Sequence, residues 1–299
     1  KFFIAYNDGN DFKAKVITVA SDRSCTGGSE VDFDDGGGTI EKGGLAYDPD
    51  TGRVVCVYRV ANDGTNNHRT YATVFSVSGT TVTAGTPVIV ENGYNNGWPH
   101  CCYDKHTDRL VITYRNMTNS DLFIRLATIS SSSNTLTVHS ASSTYEGDGE
   151  YPALATNDKG QVCVAYNKTS SPSRVRATLF TIDASNNTVS FGTAGDFSAD
   201  NKAKDGTISI DWDRNTDVFV VAWAHTEETR KLHASLRPYS GTTWGTAATE
   251  TQFASTNVHY VDMRASRGNL ASCHIFHERN STSTPKGADY AFSTATVAS

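Results

Sequence analysis

The run Val54-Val55-Cys56-Val57-Tyr58-Arg59 constrains this chain most, because the sequence keeps rewriting it. An apolar, β-branched run closing on an aromatic recurs at Phe2–Tyr6, Leu110–Tyr114, Gln161–Tyr166, Val218–Trp223 and Leu270–Phe276. The closing aromatics (Tyr6, Tyr58, Tyr114, Tyr166, Trp223 and Phe276) follow one another at steps of 52 to 57 residues. A near-constant period of this size marks a chain built of copies of one supersecondary unit.

Each copy reads as four strands. The first strand ends in a turn of similar letters, as in Tyr47-Asp48-Pro49-Asp50-Thr51-Gly52, Tyr103–Asp108, Asn157-Asp158-Lys159-Gly160 and Asp213–Asp217. Asp or Asn at a turn start bonds its own backbone, and Gly supplies positive φ. The anchor strand follows at once. After a polar loop comes a third run of period two, at Thr70–Val77, Leu122–Ile129, Val175–Ile182 and Leu232–Tyr239. A second tight turn then repeats, in Ser78-Gly79-Thr80-Thr81, Ser133-Asn134-Thr135, Ser185-Asn186-Asn187-Thr188 and Ser240-Gly241-Thr242-Thr243. The fourth strand is the least apolar, as suits an outer edge.

No stretch sustains apolar spacing at helical period. The reading is therefore all-β: a single six-bladed β-propeller of four-stranded antiparallel blades over residues 1–299, with repeats at about 1–37, 38–91, 92–146, 147–199, 200–254 and 255–299. Seven blades or an open seam are the alternatives, since the first repeat shows no first strand and the last no fourth. The chain opens on Lys1 inside a strand-like run, which reads as a processed product or part of a longer polypeptide.

Composition removes several function classes. Charged residues make up 19%, the formal net charge is −6, and no basic block appears, which argues against a nucleic-acid partner. No apolar run reaches the roughly 18–20 residues of a membrane-spanning helix. Of six cysteines, Cys56, Cys163 and Cys273 lie within anchor strands, where thiols act as small hydrophobes. Cys101 and Cys102, being adjacent, point to opposite faces of a strand. Asp32-Phe33-Asp34-Asp35 and Asp8-Gly9-Asn10-Asp11 offer oxygen ligands, but neither completes a calcium loop, so no cofactor is expected, with calcium at these acids as the alternative.

Propeller geometry divides the loops between two faces. One carries the short, uniform turns. The other carries longer, varied loops, and loops on a rigid scaffold are where binding residues gather. On that second face fall Arg59, Arg115, Asn116, His225 and His277 after the anchors, and Tyr94, Trp98, His100, Glu150 and Tyr151 at the starts of first strands. Aromatic faces stack on pyranose rings, while Arg and Asn satisfy hydroxyls. Trp98 and Tyr151 hold equivalent positions, each followed by Pro, so packing within the scaffold is the competing account. Catalysis would need two carboxylates flanking one bond; Glu150 stands out, with Glu41 and Asp205 as partners. No Gly-x-Ser-x-Gly elbow or phosphate loop accompanies them.

The letters aromatic-Asp-x-x-Thr-Gly, Arg-Val-Val-x-Val-Tyr-Arg and Ser-Gly-Thr-Thr-Val-x-x-Gly-Thr-Pro-Val, fullest at Tyr47–Val88, resemble repeat units of bacteriophage tail-fibre and other virion-surface proteins. That resemblance implies a virion-surface or extracellular module attaching to host glycans. The expected function is thus a non-catalytic recognition or structural module that binds a surface glycan or glycoprotein receptor, with self-assembly into a fibre or shell as a further role. A propeller glycoside hydrolase or lyase is the enzymatic alternative.

Overall fold

The computed structural model of the chain describes residues 1–8, 11–33, 39–61, 68–92, 96–157, 159–198, 203–225, 231–246, 250–254, 258–265, 273–279 and 285–288. Among them there is no helix. All pairings are antiparallel, and the chain divides into two compact units, Lys1–Thr144 with Ala184–Thr188, and Tyr145–Asp183 with Val189–Ser299.

The first unit holds three sheets. Sheet I joins β1 (Phe2–Asp8), β2 (Asp11–Val19) and β3 (Cys25–Gly27), with β4 (Val31–Asp32) also on β2. Sheet II joins β5 (Thr39–Asp48), β6 (Arg53–Ala61), β7 (Arg69–Ser78) and β8 (Thr81–Ala84), with β9 (Val88–Glu91) returning to β7. Sheet III runs β10 (Asn96–Asp104), β11 (Arg109–Asn116), β12 (Leu122–Ile129) and β13 (Leu136–Glu146), which ends at the unit boundary.

The second unit repeats the plan. Sheet IV runs β14 (Gly149–Thr156), β15 (Gln161–Lys168), β16 (Arg174–Asp183) and β17 (Thr188–Phe191), with β18 (Gly195–Asp196) on β16. Sheet V runs β19 (Ala203–Asp213), β20 (Val218–His225) and β21 (Leu232–Arg237), then skips a two-stranded ribbon, β22 (Tyr239–Ser240) and β23 (Thr243–Trp244), to reach β24 (Thr251–Ala254). Sheet VI holds β25 (Val258–Ala265), β26 (Cys273–Arg279) and β27 (Pro285–Ala288). As the letters of the first repeat indicated, sheet I begins on its anchor strand, and the described part of sheet VI ends on its third.

The continuous apolar anchors follow from two-sided burial. In β6, Val54, Cys56 and Tyr58 pack against Phe12, Ala14 and Val16 of sheet I. Val55 and Val57 pack against Cys101, Tyr103, Leu110 and Ile112 of sheet III. A strand covered on both faces has no polar side to alternate with. The tight turns form as the letters indicated. The Asp48 carboxylate accepts from the Asp50 backbone N–H at 2.9 Å and from the Thr51 hydroxyl. Asp104 accepts from Thr107 at 2.5 Å, and Asp213 accepts from Thr216 at 2.5 Å.

Two further devices link neighbouring elements within the units. In the first unit the residue at the head of an anchor strand donates to a hairpin turn: Lys1 to the Gly79 carbonyl (3.0 Å), Arg53 to Ser131 (3.2 Å) and Arg109 to Ala184, which clusters with the same unit (2.6 Å). A glycine lets those turns approach. A Cβ at Gly85 would sit 1.9 Å from the Asn134 carbonyl oxygen, and one at Gly192 would sit 2.0 Å from that of Thr242. The motif glycine of Gly-Thr-Pro is therefore a contact point between backbones.

The anchor hydroxyls are also spoken for. Tyr114 donates to Glu91 (2.8 Å), which Arg125 neutralises at 2.7 Å. Tyr166 donates to Glu146 (2.8 Å), which pairs with Arg176 at 3.1 Å. Burial, aided by the adjacent carboxylate, pushes the Tyr114 phenol well above its ordinary range.

Two outcomes follow. Gly85→Ala forces backbone apart and should cost more than ~2 kcal/mol, in the range of overpacked cores, whereas Gly52→Ala, with open space but a φ of +69°, should cost only the ~1 kcal/mol of a strained conformation; urea unfolding separates the two. Although partial burial works against its charge, hydrogen bonds from Lys159, Tyr239 and Trp212 hold the Asp217 carboxyl below the usual range. A depressed folded pKa stabilises above the unfolded value of ~3.9 and is lost as pH falls through the folded one. Asp217→Asn should therefore cost up to ~1 kcal/mol at pH 7, limited by solvent screening, and the gap to wild type should narrow as pH falls below the ordinary carboxylate range in a melting-temperature series.

Candidate functional site

The inner strands β5, β10, β14, β19 and β25 share one irregularity. Each breaks register against its anchor strand near its start, between Glu41 and Gly43, Gly97 and His100, Glu150 and Ala153, Ala203 and Ile208, and Val258 and Val261. Bulges re-aim side chains and recur beside active sites. Two of them carry a bulky residue in the left-handed region, Trp98 at φ +48° and Tyr151 at φ +52°. Such a conformation is an outlier for a large side chain and persists only where the surroundings over-determine it. The prolines that follow, Pro99 and Pro152, sit where a bulge asks for no ladder hydrogen bond.

In the first unit, Trp98 is half-buried and its ring lies 5.1 Å from the Arg115 guanidinium. Arg115 is buried and donates to Ser120 Oγ at 2.8 Å. Met117, which also meets Arg115, packs so close to Gly97 that a Cβ there would lie 2.8 Å from its sulfur. His100 is half-buried opposite Thr113, and Arg59 is half-buried opposite Glu41 and Thr70. Asn116 closes its own turn, accepting from the Thr118 N–H at 2.9 Å. The Glu41 side chain and the whole of Tyr94 lie outside the described residues.

In the second unit, Glu150 is half-buried and stands directly opposite Asn167. Asn167 is buried, and its amide clasps the first residue of β19 at two points: it donates to the Ala203 carbonyl at 2.8 Å and accepts from the Ala203 N–H at 2.7 Å. Residues directly opposite on paired strands share a face, so Glu150 projects toward β19 beside this clasp. His225 lies inside sheet V rather than at a rim. It is 5% exposed, with its ring 5.0 Å from His233, which in turn contacts Glu250 at 2.7 Å. His277 is placed in β26 opposite Val261, and the side chains of His277 and Asp205 lie outside the described residues.

No group of three or more His, Cys, Asp or Glu among the described residues is arranged to hold a metal ion. Asp34, Asp35, Gly9 and Asn10 of the two acidic strings lie outside those residues. Burial holds the Cys56 and Cys163 thiols well above their ordinary range and pushes that of Cys101 up to about 12, so these three are packing groups and not nucleophiles.

No protein-family model matches the sequence, and no curated protein matches it significantly. Solved structures do. A protein from Lactobacillus plantarum aligns over 96% of this chain and 80% of its own at 10% identity and a TM-score of 0.55. An α-L-arabinanase from Penicillium chrysogenum, complexed with arabinobiose, aligns over 84% and 81% at 11% identity and a TM-score of 0.54. A protein of unknown function from Dyadobacter fermentans aligns over 80% and 74% at 12% identity and a TM-score of 0.50. At such identities the likeness shows the fold: an all-β chain of β-propeller blades, as its period indicated.

The same finding corrects the functional expectation. A non-catalytic recognition or structural module, and with it the expectation that the chain is not an enzyme, gives way because the scaffold is shared with an α-L-arabinanase, and none of the three matched proteins is described as a tail-fibre protein. The physical reason lies in an ambiguity of the rim. Aromatic platforms and planar donors suit a bound sugar whether or not it is then cleaved.

The Asn167 clasp can be tested directly. Asn167→Ala strands two backbone groups of Ala203 and should lower stability by about 2–4 kcal/mol, while Asn167→Asp keeps the acceptor and should recover part of it; equilibrium denaturation of both variants measures this.

Proposed function

We propose that this chain is a carbohydrate-active enzyme, a propeller-fold glycoside hydrolase acting on a polysaccharide at the bulged starts of its inner strands. One observation carries the reading: Glu150, half-buried, immediately precedes the Tyr151 bulge at φ +52° and faces β19 beside the Asn167 clasp. An acid on a rigid strand next to a strained aromatic is the arrangement expected where a sugar ring must be gripped and a glycosidic oxygen protonated. Tyr151 would stack on the ring.

In the first unit, Trp98 backed by the Arg115 guanidinium offers a second stacking surface, with His100 and Arg59 at the same strand ends and Tyr94 and Asn116 on the adjoining loops. His277, and His225 beneath the surface of sheet V, complete the residues proposed near substrate or supporting it. The shared fold with an arabinanase complexed with arabinobiose supports testing pentose polysaccharides first. Hydrolysis by carboxylates needs no cofactor. An extracellular or virion-surface setting is part of the proposal, supported by the repeat letters at Tyr47–Val88 and by where polysaccharides occur.

Turnover of arabinan, galactan and xylan, measured as released reducing sugar, tests this. Glu150→Gln should lower kcat by roughly 10²–10⁴-fold with an unchanged melting temperature. Full activity in Glu150→Gln would remove this residue from the chemistry.

A further inference from the structure

We infer that Asn167 is a positioning residue for the proposed reaction: it ties the start of β14, where Glu150 stands, to the start of β19, and so fixes where the acid meets the sugar. The inference rests on the hydrolase reading above. It goes beyond that reading because Asn167 acts on the placement of Glu150 and not on the substrate.

The segment that carries Glu150 is strained on both sides of it. Asp148 has a φ of +77° and Tyr151 a φ of +52°, and such conformations persist only where the surroundings over-determine them. The anchor strand β15 and the residue after it supply those surroundings. Tyr166 donates to Glu146 at 2.8 Å. Thr169 donates through its backbone N–H to the Asp148 carbonyl at 3.0 Å, and through its hydroxyl to the Asp148 carboxylate. Between these two grips, Asn167 stands directly opposite Glu150.

Asn167 carries the bracket across to the next strand. Its buried side chain donates to the Ala203 carbonyl at 2.8 Å and accepts from the Ala203 N–H at 2.7 Å. One residue is thus the ladder partner of Glu150 through its backbone and the holder of β19 through its amide. The two inner strands also share apolar contacts through Ala153, Ala155, Ile208 and Ile210, but those residues lie beyond the register breaks of both strands. Apolar contact is non-directional. Two hydrogen bonds from one planar amide fix distance and orientation together.

Comparison of the copies explains why the residue is Asn. The residue after the anchor tyrosine faces the start of the inner strand in three sheets: Arg59 faces Glu41, Arg115 faces Gly97 and Asn167 faces Glu150. Arg115 turns its guanidinium to Trp98 and Ser120. Of the three, Asn167 alone is uncharged. A guanidinium beside a carboxyl favours the ionised form, which has no proton to give. An amide in that place holds the strand without adding the charge.

The experiment compares wild type, Asn167→Ala and Asn167→Asp, with Gly85→Ala as the control for lost stability alone. Activity on arabinan, galactan and xylan is measured from pH 4 to 9 at a temperature where circular dichroism shows every variant folded, and backbone hydrogen exchange is followed by mass spectrometry. Asn167→Ala should lose roughly 10²-fold in kcat with KM within about threefold. Its exchange over residues 149–151 should quicken at least about tenfold, while β16 keeps the wild-type rate. Asn167→Asp keeps the bond from the Ala203 N–H and adds a negative charge opposite Glu150; it should recover part of kcat and move the alkaline limb of the pH–rate profile to higher pH. Gly85→Ala should keep kcat and both limbs. If the wild type is active and Asn167→Ala keeps its kcat, or leaves exchange over 149–151 unchanged, the positioning role is overturned while the hydrolase reading stands. If the wild type cleaves none of the three polysaccharides, the hydrolase reading falls, and the role of Asn167 with it.

Discussion

The whole fold depends on one constraint: an anchor strand cannot be buried by its own sheet. Val54, Cys56 and Tyr58 need sheet I, while Val55 and Val57 need sheet III. The same division recurs in the second unit, where Ile208, Ile210 and Trp223 share a core with Ala153, Cys163 and Ala165 of sheet IV, while Val220 and Ala222 share one with Val261 of sheet VI. At about 1.5–3 kcal/mol for each large side chain removed from water, the burial shared between neighbouring sheets is a large contribution to the stability of each. Stability in such a chain is a sum of nearest-neighbour terms. The donations from Lys1, Arg53 and Arg109 to hairpin turns, and the glycines beneath those hairpins, repeat for that reason.

Where a neighbour is incomplete, the cost is visible. Leu45 and Tyr47 of β5 stand opposite Cys56 and Val54, on the face that sheet I covers. Among the described residues sheet I opens on β1, so these strands reach Val54 and Cys56 but not the inner strand beside them. Leu45 is 43% exposed and Tyr47 58% exposed. The equivalent residues of β10, Cys101 and Tyr103, face a full sheet and are buried. Burial along an inner strand is thus set by its neighbour more than by its own letters.

This explains what could be read in the sequence and what could not. The period, the anchor strands and the Asp-led turns were legible because each is a local pattern with a local cause: two-sided burial for the anchors, side-chain–backbone bonds for Asp48, Asp104 and Asp213. The equivalence of Trp98 and Tyr151 was legible too, as aromatic-Pro at matching positions. Their positive φ was not, because it arises from the register break and not from the residue type. His225 reads as a loop residue in the chain but belongs to the buried end of β20, its ring tilted against His233. Glu91 and Glu146 close their strands as ordinary edge acids would, yet each holds an anchor tyrosine of the next repeat.

A scaffold assembled by neighbour contacts has a consequence for chemistry. Carboxylates that serve the scaffold sit at outer strands and tight turns, where a cation, hydroxyl or backbone N–H is supplied by the repeat itself, as Arg125 is for Glu91 and Thr107 for Asp104. Inner-strand starts are different. Their bulges interrupt the ladder, so a side chain there is not dictated by the pairing that fixes every other position. The repeat can therefore vary these few residues without disturbing a core, placing Glu150 and the strained Tyr151 at one start and the strained Trp98 at another. Differences between copies, rather than features common to them, are where a repeat protein of this kind can hold an asymmetric reaction. Glycosidic cleavage is asymmetric in this sense, with an acid on one side of the bond and a base on the other.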